Sequence, residues 1–293
     1  MGKAERNRRL NAQQKIAAQQ AAARRAENRR RGLIAGGSVV LVIAIVAVFF
    51  GIKAGTSPAK ATASSPAGAS QPASVTNAIA NIPAATLASV GTGTTSAKAV
   101  VATTGNPAPL TSNGKPVVVY VGGEYCPYCA AERWALTAAL SKFGSFSHLG
   151  FIHSSSSDVD PSTPTLTYYK SSYTSKYIDF QPTEAVGLEQ GKNLETMTSL
   201  DNELFKKFNP GGSFPFVDIG NKYLITGASY DPGVLKGLTW AQVAAALKDP
   251  TSPVAKGVDG ATNLITAALC KITGGQPGSV CSSAGVTKAS GAI

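Results

Sequence analysis

The chain has 293 residues, 43% hydrophobic and 15% charged, a composition that excludes a wholly disordered protein and leaves room for one large domain or two small ones. Its formal net charge of +11 is lopsided: residues 1–32 hold ten Lys/Arg against Glu5 and Glu27, a net of +8, which leaves +3 for everything after them. The basic balance therefore belongs to a tail, and no nucleic-acid-binding fold is expected from it.

Taken in chain order, residues 1–32 are expected to form a basic cytoplasmic tail. It is rich in Ala, Gln and Arg, suited to lie as a helix on anionic headgroups or to act only as a topology signal. Residues 33–52 are twenty uncharged residues rich in Val, Ile and Phe, which is the helical length needed to cross a bilayer core. A single transmembrane helix is expected there. Ten basic residues precede it and only Lys53 and Lys60 closely follow, so the N-terminus is placed in the cytoplasm and the remainder outside, with the span acting as a signal-anchor in the cell membrane. The alternative is a cleaved signal peptide with Ala61-Thr62-Ala63 as an A-x-A site, but both the basic and the apolar regions are long for one. Residues 53–76 are Ala, Ser, Pro and Thr with almost no large apolar side chain, hence a flexible tether with a reach of roughly 25 Å.

The extracytoplasmic domain is expected over residues 77–293. Ile79, Ile82, Leu87 and Val90 fit a helical stripe, so a docking helix is expected over 78–91, stopped by Gly91. Residues 98–103 are read as a strand and residues 110–116, with Asn113-Gly114, as a turn.

The organising stretch follows. Val117-Val118-Val119-Tyr120-Val121 has the length and branching of a strand, stops at Gly122-Gly123, and leads through Glu124-Tyr125 into Cys126-Pro127-Tyr128-Cys129. Proline suits the first position of a helix, where its missing N–H has no intrahelical partner, which makes Cys126 the N-cap and puts Cys129 at the third helical position. A sulfur at the N-cap faces unpaired N–H groups and the positive end of the helix dipole, so the thiolate, the species that attacks disulfides, is favoured. Cys129, one turn on, is placed to close a small disulfide ring or to resolve a mixed disulfide. Half a zinc site has the same spacing, but the other cysteines, Cys270 and Cys281, have no histidine beside them, and His148 and His153 fall on a separate predicted strand. The third reading is an inert bridge. No metal and no cofactor are expected.

Beyond the cysteines, Ala130, Ala131, Trp134, Ala135, Ala138, Ala139, Leu140 and Phe143 give a helix a broad apolar surface, ended by Gly144. Trp134 is expected in the core. Glu132 and Arg133 are read as an exposed pair of little energetic consequence, the alternative being that they tune the thiols. Residues 149–153 form a strand in which His153 is read as an ordinary hydrogen-bonded residue, the alternative being a proton relay. Residues 165–169 and 177–181 are two more strands around a Lys/Ser/Tyr-rich bend, residues 186–193 a loop, and residues 194–208 a helix. Two short apolar strands flank Gly220-Asn221, a hairpin turn, with Pro215 opening the first strand and a cis peptide from Phe214 expected there. Residues 239–247 and 254–270 complete the helices. Cys270 and Cys281 bracket a glycine-rich loop, and outside the cytoplasm an even cysteine count favours a structural disulfide, the alternative being a second redox pair.

That order, with Glu124-Tyr125-Cys126-Pro127-Tyr128-Cys129 and the hairpin led by Pro215, resembles the thioredoxin superfamily over roughly residues 110–250. The longer run Gly123-Glu124-Tyr125-Cys126-Pro127-Tyr128-Cys129-Ala130-Ala131-Glu132-Arg133-Trp134, with Pro215-Phe216 and Ala261-Thr262-Asn263-Leu264-Ile265-Thr266-Ala267-Ala268-Leu269-Cys270, is similar to the family known as domain of unknown function 929, from about Asn77 to Cys281. The superfamily resemblance implies an α/β fold, a thioredoxin-like mixed sheet flanked by helices. It further implies Cys126 as nucleophile, Cys129 as resolving thiol, and Pro215 as a cis-proline beside them that leaves an edge open for substrate backbone. Tyr120 departs from the pattern, since thioredoxins commonly carry a buried acid six residues before the first cysteine. Proton transfer to and from Cys129 would then fall to water or to Glu124. The pair Pro127-Tyr128 resembles glutaredoxins and some periplasmic disulfide enzymes and leaves the direction of electron flow open.

The function expected is a membrane-anchored thiol–disulfide oxidoreductase, oxidase or isomerase rather than reductase, acting on exported proteins and reset by a separate redox partner. The alternative is a tethered binding or scaffold module with static disulfides.

Overall fold

The computed structural model describes residues 73–96 and 98–293. The expected cytoplasmic tail, the expected span at 33–52 and most of the expected tether lie outside these residues. Among the described residues no helix is long and apolar enough to cross a membrane.

Helix α1 (Ala73–Ala80) opens before the domain start expected at 77, because Val75 joins Ile79 in the core. The single docking helix expected over 78–91 is two helices: a turn at Asn81–Pro83 separates α1 from α2 (Ala84–Val90), since proline cannot continue the first helix but serves as the N-cap of the second. Strand β1 is confined to Val101–Ala102, shorter than expected, and pairs with the edge of the main sheet. Strand β2 (Thr111–Ser112) turns through Asn113 and Gly114, both at positive φ, into β3 (Lys115–Gly123), so part of the expected turn is a tight hairpin.

Helix α3 (Pro127–Leu140) ends before Gly144, which instead opens β4 (Gly144–Ser147). Then come β5 (Gly150–His153), β6 (Pro164–Thr167), β7 (Ser172–Ser175) and β8 (Asp179–Val186). The Lys/Ser/Tyr-rich bend thus contains a strand of its own, and β4–β7 and β5–β6 form separate antiparallel pairs. Helix α4 (Ser199–Phe208) starts five residues later than expected. Leu194 and Glu195 donate their N–H groups to the carbonyls of Ala185 and Glu184, which keeps them extended beside β8. The helix begins where Thr198 and Asp201 close a capping box.

Strands β9 (Phe216–Ile219) and β10 (Tyr223–Thr226) form the expected hairpin, turned by Gly220 and Asn221, both at positive φ. A 3₁₀ turn (Pro232–Leu235), α5 (Trp240–Ala246), the long α6 (Pro253–Ile272), and the short α7 (Gly278–Cys281) and α8 (Ala284–Ser290) complete the chain.

Strand β3 is central. It runs parallel to β8 on one side and antiparallel to β9 on the other, and β10 and β1 continue outward beyond β9. A strand covered on both faces reads as a continuous apolar run, which explains the valines of β3. Side chains alternate: Val118 and Tyr120 face the larger core with α3 and α6, whereas Val117, Val119 and Val121 face the smaller core against Leu204 and Phe216. Helix α6 lies so close to the segment before β1 that a Cβ on Gly260 would fall 2.5 Å from the Thr92 carbonyl oxygen. Cys270 and Cys281 are bonded to each other and staple α6 to α7.

Candidate functional site

Strand β3 stops at its glycines for a steric reason as well as a conformational one. A Cβ on Gly122 would lie 2.1 Å from the Tyr120 hydroxyl oxygen, so only glycine lets the chain turn over that ring. Three residues after Gly123 the chain reaches Cys126, which adopts the extended backbone of an N-cap, with Pro127 following at the first helical position. The Cys129 N–H donates to Cys126 Sγ at 3.4 Å, and the Gly123 N–H donates to Cys129 Sγ at 3.4 Å. Each sulfur thus has its own backbone donor.

The Phe214–Pro215 peptide is cis, and the Cys126 thiol donates to the Phe214 carbonyl oxygen at 4.0 Å, so the proline loop stands directly beside the helix mouth. The loop after β10 holds the two together. Gly227 donates its N–H to the Pro215 carbonyl, Ser229 gives its N–H and hydroxyl to the Glu132 carboxylate, and the Tyr230 hydroxyl donates to the Ala131 carbonyl.

The two thiols have opposite electrostatics. The Cys126 thiol is lowered to about 7: the hydrogen bond from the Cys129 thiol contributes most, burial opposes it, and the Cys129 N–H and the Arg133 charge add to the lowering. The Cys129 thiol is pushed well above the ordinary thiol range, first by burial and then by its hydrogen bond to, and the charge of, Cys126. Cys126 is 6% exposed and Cys129 is fully buried. Tyr128, next to them on the first turn, is 43% exposed and forms an apolar rim.

Glu124 is buried, and burial raises its carboxyl above the usual range. It accepts a hydrogen bond from the Thr167 hydroxyl at 2.7 Å rather than one from either cysteine. Trp134 lies in the core as expected, its indole N–H donating to the Pro164 carbonyl. His153 is solvent-exposed and packs against Trp240, with ring centroids 4.2 Å apart, rather than facing the cysteines. Tyr120, at the position where an acid was noted as missing, is fully buried, and its hydroxyl has no hydrogen-bond partner among the described residues.

The expectation that fails outright concerns Glu132 and Arg133. Both are 0% exposed and they bond to different partners. Helix α3 is enclosed by the sheet, β6, α1 and α6, so it has no solvent face on which to present a charged pair. Arg133 instead crosses to β8, where Nε and Nη2 donate to the two Glu184 carboxylate oxygens at 2.8 Å each, and Nη2 also donates to the Gly123 carbonyl at 2.8 Å. Glu184 is the member of the site that no sequence feature singles out; Arg133 enters through the alternative that it tunes the thiols, and Phe214 through its cis peptide with Pro215. The signal for Arg133 was present: a lone cation one turn beyond Cys129 in a helix with apolar residues on every side. Glu184 carried none, since it lies between the strand expected over 177–181 and the loop expected over 186–193, and its place beside β3 is set by β8 running on to Val186.

No curated protein and no solved structure matches the chain. A family model does match, over a narrower span than the 77–281 expected, one that includes both site cysteines, Arg133 and Glu184 but stops short of Pro215. Residues 103–212 are similar to the family described as Domain of unknown function (DUF929).

Proposed function

We propose that this protein is a thiol–disulfide oxidoreductase of thioredoxin-like architecture, anchored by residues 33–52 and acting outside the cytoplasm on exported proteins. The observation that carries the reading is the Cys126 sulfur. It caps a helix, accepts the Cys129 N–H, has its thiol lowered to about 7, and stands beside the cis-Pro215 loop. Leaving aside the separate pairs β4–β7 and β5–β6, the order β3, α3, β8, α4, the β9–β10 hairpin and α5, with β3 central, supports the thioredoxin-like part.

In the proposed reaction a substrate thiolate attacks Cys126 Sγ of the oxidised pair, which breaks the bond to Cys129 and releases Cys129 sulfur to take up a proton. A second substrate thiolate then attacks the substrate sulfur of the mixed disulfide and expels the Cys126 thiolate. Two electrons pass from the substrate dithiol to the cysteine pair, and a separate redox partner bearing a disulfide takes them on. Run backwards, the same steps reduce or isomerise a substrate disulfide. The test is Cys129→Ser in the native envelope. The variant cannot form the oxidised pair, but its Cys126 thiolate can open a substrate disulfide by the reverse step, and without Cys129 to resolve them mixed disulfides with exported proteins are expected to accumulate, visible as adducts that disappear on reduction. An envelope without such adducts would count decisively against the reading.

The low exposure of Cys126 gives weight to a second reading, a tethered scaffold with a static cysteine pair. The two differ in whether Cys126 reacts with a small alkylating agent in the folded state.

A further inference from the structure

We propose that Arg133 is a positioning residue for the dithiol: a buried, fixed cation that acts through Gly123 on both cysteines and favours the reduced pair, so that the disulfide form acts as an oxidant. This inference rests on the thiol–disulfide reading above and assigns it a direction.

The geometry places one side chain in contact with the frame of both sulfurs. Arg133 Nη2 donates to the Gly123 carbonyl oxygen at 2.8 Å, and that same oxygen accepts the Cys126 N–H at 3.3 Å. The N–H of Gly123 donates to Cys129 Sγ. Gly123 therefore links the guanidinium to the backbone of the first cysteine and to the sulfur of the second. The planar fork on Glu184 fixes the guanidinium, because Nε and Nη2 are both held at 2.8 Å, and β8 is itself held in register with β3.

A structural account of Arg133 is weak. Its Nη1 has no hydrogen-bond partner among the described residues, and neither has the Tyr120 hydroxyl, whose ring centroid lies 5.9 Å from the guanidinium carbon. A buried polar group left without a partner loses its hydration with nothing in return, which destabilises the fold. Replacing a buried ion pair by apolar side chains is often neutral or stabilising. Glu132 beside it in the same helix has its own structural partner in Ser229, whereas a cation kept under these conditions is accounted for by what it does to the sulfurs above it. The Arg133 charge lowers both thiols.

The other titratable groups facing the pair are Tyr125 and, beyond it, Asp158 from the loop after β5. Tyr120 from β3, Glu184 and Tyr168 around the guanidinium, Glu195 behind Glu184, and Glu124 on Thr167 complete the set. Arg133 is the cation among them. In the oxidising direction both leaving sulfurs depart as thiolates, Cys129 in the first exchange and Cys126 in the second, and a fixed positive charge favours each departure. The same charge stabilises the reduced product.

The experiment uses the full chain equilibrated with reduced and oxidised glutathione from pH 6 to 9, together with the ionisation midpoint of Cys126 from its thiolate absorbance. Arg133→Met combined with Glu184→Gln removes the charge without stranding its partner. The variant midpoint is expected to rise, by up to about one pH unit, because the Arg133 charge is a smaller contribution than the hydrogen bonds from residue 129. With a midpoint moved from about 7 to about 8, the reduced form loses stability by about fivefold at pH 8 and almost nothing at pH 6. The two equilibrium curves should therefore coincide at pH 6 and separate by about 20 mV at pH 8. Arg133→Lys, which keeps the charge, should stay within about twofold of the unaltered protein at pH 8. If the double variant fails to fold, Glu184→Gln alone carries the test, because it leaves Arg133 unneutralised and should lower the Cys126 midpoint. Superimposable curves for the double variant, or a Glu184→Gln midpoint unchanged or raised, overturn the role of Arg133 alone. A chain in which Cys126 and Cys129 show no reversible equilibrium with glutathione overturns the oxidoreductase reading with it.

Discussion

Cys129→Ala tests the chemistry of the helix mouth at its most specific point. Cys126 has a midpoint of about 7, and the largest contribution to that lowering is the hydrogen bond from the Cys129 thiol, with the residue 129 N–H at 3.4 Å a separate donor. Alanine removes the first and keeps the second. A hydrogen bond to a charged group contributes about 1.5–3 kcal/mol and one pH unit corresponds to about 1.4 kcal/mol, so the Cys126 midpoint should rise by about one to two units. At pH 7 the thiolate fraction then falls from about one half to between about one tenth and one hundredth. The assay is the rate of iodoacetamide alkylation of Cys126 against pH, read by mass spectrometry on the folded chain; Cys270 and Cys281 do not interfere because they are bonded to each other. The expected result is a wild-type profile with its midpoint near 7 and a variant profile displaced upward, at least about fivefold slower at pH 7 and converging with wild type near pH 9.5. A variant midpoint that stays near 7 refutes the role given to the Cys129 thiol. A wild-type Cys126 that reacts only after denaturation refutes the accessible thiolate itself and leaves the scaffold reading in place.

Two further predictions concern stability. Asp259 on α6 is fully buried, neither of its carboxylate oxygens has a hydrogen-bond partner among the described residues, and burial pushes its carboxyl up to about 8, opposed by the charge of Lys142. Because the folded value lies above the unfolded one, the stability this group contributes is complete below about pH 4 and is lost as pH rises through about 8. Glu132, pushed to about 7, and Asp218, pushed to about 6, act with the same sign. Asp259→Asn should therefore flatten the fall in unfolding free energy between pH 5 and 9 in urea titrations, by an upper limit of about 4 kcal/mol, and an unchanged slope would contradict the burial argument. Replacing both Cys270 and Cys281 by serine opens a loop of sequence separation 11 and should lower the unfolding free energy by about 2.5–3 kcal/mol, while the alkylation profile of Cys126 stays where it was. A shift in that profile would instead point to a second redox pair.

The local chemistry of the site was legible because it is written in short-range rules. Proline after Cys126 fixes the helix start, the spacing to Cys129 fixes one turn, and Gly220-Asn221 fixes a hairpin whatever surrounds them. Cys270 and Cys281 are bonded to each other, as the even cysteine count led one to expect. The boundaries that moved are those decided by partners elsewhere in the chain. Residues 194–195 have a helical apolar spacing, but their N–H groups are taken by the end of β8, and Gly144, a natural helix stop, is used by β7 as a strand start.

Arg133 marks the division most clearly. A sequence window shows Arg133 beside Glu132 in a helix of broad apolar surface, and the ordinary expectation for two adjacent charges is an exposed pair. Whether a helix has a solvated face depends on what packs against its far side, and here α6, more than a hundred residues later in the chain, covers it. The amino-acid sequence alone set which sulfur caps the helix and which follows one turn behind. The tertiary structure alone decided that a guanidinium would be sealed beneath them, paired to Glu184 across the sheet, because burial and long-range pairing are properties of the whole packed core and no segment carries them by itself.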